Sequence, residues 1–234
     1  MPDFLMTTGA AEQAWNQDQM REPVTRPLFQ LWAYEAPAVV LGCSQARTVT
    51  QEEIAQRAGI GSTARQSGGG AVLAGSWMLS ASIILPNGHP LASDKLVQSY
   101  QWIGELYAKV LHGFDIAAHA LPPEQARALQ AGVPPSLTWA CFAGFSPWEV
   151  VVDNRKIVGL AQARRRTGTL VVSGVLLGRP DWGLLARAMN QAAGSAAELA
   201  ACTTSCAEQL GRELTLEEIA APLARALREA LGTA

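Results

Sequence analysis

Apolar positions along this chain recur with two spacings. Runs that alternate or are continuously apolar, bounded by turn formers, read as strands: Leu28 to Tyr34, Ala38 to Gly42, Met78 to Leu85, Trp148 to Val152, Ile157 to Leu160 and Leu170 to Leu177. Spacings of three and four predict helices. Gly9 to Arg21 puts Ala11, Trp15 and, less regularly, Met20 on one face. Ser93 to Leu111 does the same with Leu96, Tyr100, Ile103, Tyr107 and Val110, behind a capping Ser93. Thr50 to Arg57 and Thr215 to Leu231 each open with a threonine followed three residues later by glutamate, the capping-box pattern, and Trp182 to Asn190 is a further helix. Leu121 to Pro135 carries four prolines around a helical Glu124 to Gln130 and reads as a surface excursion. These elements alternate, and by themselves imply only a chain of mixed helix and strand.

Two stretches concentrate residues able to do chemistry. In the first, Trp139 to Leu177, Asp153-Asn154 opens a two-residue turn and sets Lys156 at the start of the second strand of a hairpin. Cys141, Lys156 and the cluster Arg164, Arg165 and Arg166 thus fall within about one strand length of each other, since extended chain advances only ~3.3 Å per residue. Lys156 is one of three lysines against fifteen arginines, and the other two, Lys95 and Lys109, fall in a predicted helix. A lysine where the chain otherwise uses arginine points to a need for a compact ammonium. Cys141, between Ala140 and Phe142, suits a small buried apolar residue as well as a nucleophile. The arginine cluster suits a solvated turn or a docking patch for an acidic partner. In the second stretch Gly68, Gly69 and Gly70 form either a ligand-free turn or a loop whose amides a phosphate, carboxylate or acyl chain can approach closely. Arg65 beside them favours an anion.

Composition narrows the classes. With 234 residues, 49% of them hydrophobic and 16% charged, the chain can bury one substantial core; the expectation is a single domain over 1–234, with 191–234 a small helical C-terminal region. A net charge of −2 argues against nucleic acid as a partner. No apolar run approaches the ~20 residues of a membrane span, and the early Asp3 without a basic segment does not make a signal peptide, so a cytoplasmic protein with no membrane partner is expected. Cys202 and Cys206 have ligand-like spacing on a helix, but no second pair completes a metal site.

The sequence RQSGGGAV at Arg65 to Val72, followed about ninety residues later by NRKIVGLAQARRR at Asn154 to Arg166, with ACF-x-x-x-S-x-x-E at Ala140 to Glu149 between them, resembles the lipoate-protein ligase A family of the biotin and lipoate ligase superfamily. The resemblance implies an α/β (α+β) fold with a mixed, largely antiparallel central sheet flanked by helices. It also implies attachment of an octanoyl or lipoyl group to a lysine of a lipoyl carrier domain, of the glycine-cleavage H protein or 2-oxoacid dehydrogenase E2 type. In the cysteine-dependent octanoyltransferase branch no cofactor is needed: Cys141 takes the acyl group from an acyl-carrier protein, assisted by Lys156 as the neighbouring cation or as an oxyanion stabiliser. In the ligase branch free lipoate or octanoate is first joined to AMP using ATP and Mg, and Lys156, Arg65 or the arginine cluster holds carboxylate or phosphate. Carried over residue by residue, the substrate-binding set is Arg65, Ser67, Gly68, Gly69, Gly70, Ala71, Val72, Gly159, Ala161 and Gln162. Ala74 and Ser173 stand where many members carry histidines, so a mechanism using those histidines as bases is closed to this chain. The chain is also too short for the accessory C-terminal domain of the larger ligases, which leans towards the transferase branch over the ligase; a catalytically silent lipoate-binding paralogue stays as a further alternative.

Overall fold

Local turn chemistry organises the centre of the molecule. In the computed structural model, which describes residues 2–233, Asp153 and Asn154 both take positive φ (49° and 60°), as a tight two-residue hairpin turn requires. In chain order the elements are β1 (Leu5–Thr7), α1 (Gly9–Gln19), β2 (Leu28–Tyr34), β3 (Ala38–Leu41), α2 (Gln51–Ala58), β4 (Gly61–Ala64), β5 (Val72–Ala74), β6 (Met78–Leu85), α3 (Gln101–His112), β7 (His119–Ala120), α4 (Pro123–Ala131), β8 (Val150–Val152), β9 (Arg155–Arg165), β10 (Gly168–Leu176), α5 (Trp182–Ala188), α6 (Ser195–Cys202), α7 (Cys206–Leu210) and α8 (Leu216–Leu231).

Seven strands form one sheet in the order β1-β2-β6-β10-β9-β8-β7, antiparallel at every pairing except β1 with β2. A second sheet, β4-β3-β5, is smaller and mixed. One face of the large sheet carries Leu31, Ala33, Leu79, Ala81, Ile83, Val171 and Val175 into an aliphatic core with Ile103, Tyr107 and Leu111 of α3 and Ile219, Leu223 and Leu227 of α8. The opposite face lies under α1 and the small sheet. Both predicted capping boxes form, at Thr50/Glu53 and Thr215/Glu218.

The structure departs from the sequence reading in four places. α3 begins at Gln101, after a 3-10 turn at Gln98–Tyr100, and not at Ser93. The carbonyls of Ser93 and Asp94 accept hydrogen bonds from the Arg164 guanidinium, which holds that segment out of the helix and leaves Leu96 and Val97 exposed. The strand expected over Ile157 to Leu160 runs on to Arg165, so Arg164 and Arg165 belong to β9 and only Arg166-Thr167 form the turn into β10. Trp148, expected in a strand, takes φ 70°, and β8 starts two residues later. Finally, α1 buries Gly9, Glu12, Gln13 and Asn16, while Ala11 faces solvent and Trp15 is half-buried. Its polar side is the inward one.

Candidate active site

The face of the large sheet under α1 is built of small side chains. Pairing aligns Gly159 of β9, Gly174 of β10 and Ser80 of β6 in one transverse row, closed by Trp32 of β2; the next row is Ala161, Val172, Ser82 and Gln30. Glycine, alanine and serine leave a groove where larger residues would fill the space. Roofed by α1, β3 and β5, the groove becomes a slot lined mainly by apolar atoms, with Val40, Val72, Ala74, Met78 and Leu170 among its walls. Glu12 and Gln13 of α1 and Tyr34 of β2 also reach it. Burial pushes the Glu12 carboxyl from 4.5 up to about 7, against the lowering effect of hydrogen bonds from Tyr34, Gln13 and Ser82 and of the Arg65 charge.

Cys141 is fixed by the glycine loop. Ala71 N–H donates to Trp139 O at 2.7 Å and Cys141 N–H donates to Ala71 O at 2.9 Å, so the segment before β5 and the cysteine turn run as a short parallel ladder. A Cβ on Gly70 would lie 2.5 Å from Trp139 O and 2.7 Å from Cys141 N, a contact backbone cannot yield to, which is why this position is glycine. Gly69 takes φ 95°, and a Cβ there would sit 3.9 Å from Cys141 Sγ. The Arg65 guanidinium donates to the carbonyls of Gly68, Gly70 and Val40 and is almost fully buried. It braces the loop from beneath, so the anion-holding fork expected of it is not its geometry here.

Lys156 owes its direction to an irregularity. Val151 pairs with Lys156 but Val150 pairs with Val158, so Ile157 is an extra residue on β9 and the strand is bulged there. Ile157 and Val158 both join the aliphatic core. Across the bulge Lys156 comes to the side of Gly159, which an unbroken strand would forbid for residues three apart. Its Nζ donates to Cys141 O at 3.0 Å, lies 2.7 Å from Glu149 Oε2, and sits 5.7 and 5.8 Å from the ring centroids of Phe142 and Phe145. Phe142 in turn packs where a Gly159 Cβ would be, at 3.2 Å. The ion pair is buried, at 1% and 2% exposure. Glu149 also accepts from Ser146 N at 2.7 Å and Leu160 N at 3.3 Å, so both of its oxygens are engaged.

On the other side of Cys141 a more polar trough opens, lined by Gly68, Gly69, Gly70, Tyr100, Gln130, Thr138, Ser146, Glu149 and Gln162. Cys141, Ser67, Leu160 and Ala161 line both slot and trough, so the thiol stands where the two meet. Of the residues named from the sequence, Arg65, Ser67, Val72, Gly159 and Ala161 line the slot, and Gly68, Gly69, Gly70 and Gln162 line the trough. Ala71 is buried and acts through its backbone. Arg164 is held by Ser93, Asp94 and Ser99 and lines neither slot nor trough, and Arg165 and Arg166 are exposed. Ser173 points into the aliphatic core, 2.8 Å from the Tyr107 hydroxyl. Sequence reasoning missed Glu149 as the partner of Lys156, although it closes the Ala140 to Glu149 pattern, and missed Glu12 and Tyr34, whose helix and strand were read only for apolar spacing. Among the described residues no group of three or more His, Cys, Asp or Glu is placed to hold a metal ion, and no helix is long and apolar enough to cross a membrane.

The family model of the lipoyl protein ligase A/B catalytic domain matches residues 8–228. The chain belongs to that family. Among curated relatives, octanoyltransferase LipM of Kyrpidia tusciae is 30% identical over 153 residues, 64% of this chain and 54% of that protein. The LipM octanoyltransferases of Lysinibacillus sphaericus and Symbiobacterium thermophilum are 27% identical over 178 residues and 28% over 212, covering 75% and 88% of this chain and 62% and 75% of theirs. The chain thus spans a little over half the length of the first of these relatives. Solved structures show the same fold. A lipoate-protein ligase A bound with ATP superposes with a TM-score of 0.69 at 17% identity, covering 98% of this chain and 84% of that one. The bipartite lipoate protein ligase of Thermoplasma acidophilum gives 0.65 at 17%, covering 98% and 82%.

Proposed function

We propose that this chain transfers an octanoyl group through a Cys141 thioester to a lysine of a lipoyl carrier domain. The observation that carries the reading is the position of Cys141 at the junction of an apolar slot and a polar trough. The slot suits a fatty acyl tail, and the trough suits the thioester arm of the donor and then the lysine of the acceptor. The Cys141 thiolate attacks the carbonyl carbon of an octanoyl thioester, on an acyl-carrier protein in this reading. The tetrahedral intermediate collapses with cleavage of the donor C–S bond, and the departing thiolate takes a proton. The uncharged amine of the carrier lysine then attacks the acyl-enzyme, loses a proton, and expels Cys141 as thiolate, leaving an amide. Lys156 has three ammonium hydrogens and two acceptors, Glu149 and Cys141 O. Its role here is to hold the turn bearing the nucleophile and to lend positive charge to the oxyanion. LipM relatives favour this route, which needs no ATP; the commitment of Arg65 to backbone carbonyls removes one phosphate ligand from the ligase alternative.

Incubation with octanoyl-acyl-carrier protein without ATP tests the reading by intact mass. The expected result is one octanoyl adduct on the wild-type chain, none on Cys141→Ala, and passage of the group to an added lipoyl domain. ATP-dependent acyl-adenylate formation that survives Cys141→Ala would establish the ligase instead.

A further inference from the structure

Acyl transfer alone does not explain why α1 turns its polar side inward. Glu12, Gln13 and Asn16 are buried while Ala11 and Ala14 face solvent, the reverse of the arrangement burial favours. The carboxyl of Glu12 is 2.7 Å from the Tyr34 hydroxyl, which donates to it, and that hydroxyl is 2.8 Å from Ser80 Oγ. All three side chains reach the slot.

Their place along the slot gives them a task. The row of small residues starts at Gly159, under the Phe142 ring and next to Cys141, crosses Gly174, and ends at Ser80 beneath Tyr34 and Glu12. From β9 to β6 is two strand spacings, or ~10 Å. That is about the span of an extended octanoyl chain. We propose that Glu12, with Tyr34 and Ser80, forms a polar stop at the end of the slot far from Cys141 that sets the length of acyl chain accepted on Cys141. The inference rests on the acyl-transfer reading above. A chain ending short of the stop lies against apolar walls such as Val40, Leu170 and Val172. A longer chain presses methylenes into a satisfied hydrogen-bond network and leaves a buried carboxyl or phenol without its partner, which disfavours it by about tenfold or more.

The test measures initial rates of Cys141 acylation by intact mass, using acyl-carrier-protein thioesters from hexanoyl to tetradecanoyl. Wild type is expected to prefer octanoyl over dodecanoyl by at least about tenfold. Glu12→Ala is expected to bring that ratio close to one, while Glu12→Gln, which keeps the shape and the acceptor for Tyr34, retains it. Gly174→Ala probes the row independently, since its added Cβ would lie 3.1 Å from Met78 Sδ and 3.5 Å from Ser80 Oγ; its preference is expected to move to shorter chains. The proposal is overturned if wild type shows no length preference, or if Glu12→Ala accepts octanoyl with the wild-type ratio. If Glu12→Ala fails to fold, an unshifted profile in Gly174→Ala overturns it. Absence of acylation at any length would sink the acyl-transfer reading itself, and this one with it.

Discussion

The two faces of the large sheet are made by the same strands and obey opposite rules. On β6, Leu79, Ala81, Ile83 and Leu85 enter an aliphatic core, and the alternate residues take the other face, Met78, Ser80 and Ser82 lining or bordering the slot and Ile84 packing with Met20, Ala163 and Leu170. Every one of the eight is buried. The core face gains stability by filling space with apolar surface. The slot face keeps space open with glycine, alanine and serine, and carries buried polar groups that must be paired to be tolerated. Substitutions on the first face should therefore change stability without changing chemistry, and substitutions on the second should change both.

The largest departure from a passive core is the pair Lys156 and Glu149. Glu149→Ala strands a buried ammonium and is expected to lower unfolding free energy by about 3–5 kcal/mol, read from urea denaturation, together with loss of Cys141 acylation. The double variant Glu149→Leu with Lys156→Met is the sharper experiment. Replacing both charges removes the stranded ammonium but leaves the Ser146 and Leu160 N–H groups without their acceptor, so it should restore part of the stability and none of the activity, because no ammonium remains beside the Cys141 turn. A double variant that recovers acylation along with stability would reduce the pair to scaffolding.

This contrast also marks what the sequence disclosed. The hairpin carrying Lys156 was legible because Asp153-Asn154 is a local signal, and the capping boxes at Thr50 and Thr215 were legible for the same reason. The bulge at Ile157 was not, because it exists only in the pairing of β9 with β8, and it decides which face Lys156 occupies. Ser93 resembles a cap, but the helix begins only at Gln101, because Arg164, seventy residues away, holds the intervening segment out of it. Apolar spacing misorients α1, because Ala11 and Trp15 have that spacing while Glu12, Gln13 and Asn16 are the residues buried. A helix that roofs a ligand slot buries the residues the slot uses, here Glu12 and Gln13, and no local rule announces this. Glu149 was within a recognised spacing, but only the fold brings its carboxylate to Lys156.

A smaller effect separates the faces by pH. Glu12 faces Tyr34 from β2, Gln13 from its own helix, Ser82 from β6 and the more distant Arg65 charge, and burial outweighs them all, raising its carboxyl from 4.5 to about 7. The folded chain therefore binds this proton more tightly than the unfolded chain. Between about pH 4.5 and 7 the unfolded state releases it first, so the contribution of Glu12 to stability falls as pH rises, by at most about 3 kcal/mol across that window. Urea midpoints for Glu12→Gln should lack this decline. A parallel decline in wild type and variant would assign the slope to other groups.

The smallest change belongs to the core face. Ile83→Val removes one methylene from a fully buried side chain on β6, one residue along from Ser82 but on the opposite side of the sheet. The expected loss is about 1 kcal/mol, the usual result of a small cavity that neighbours only partly refill. Because Ile83 packs into the core beneath and lines neither slot nor trough, the acyl-length preference of the variant should match wild type. A shifted preference would mean that strain crosses the sheet, since close-packed interiors transmit displacement. The two faces would then be one mechanical unit, with the length of the slot tuned from the core behind it.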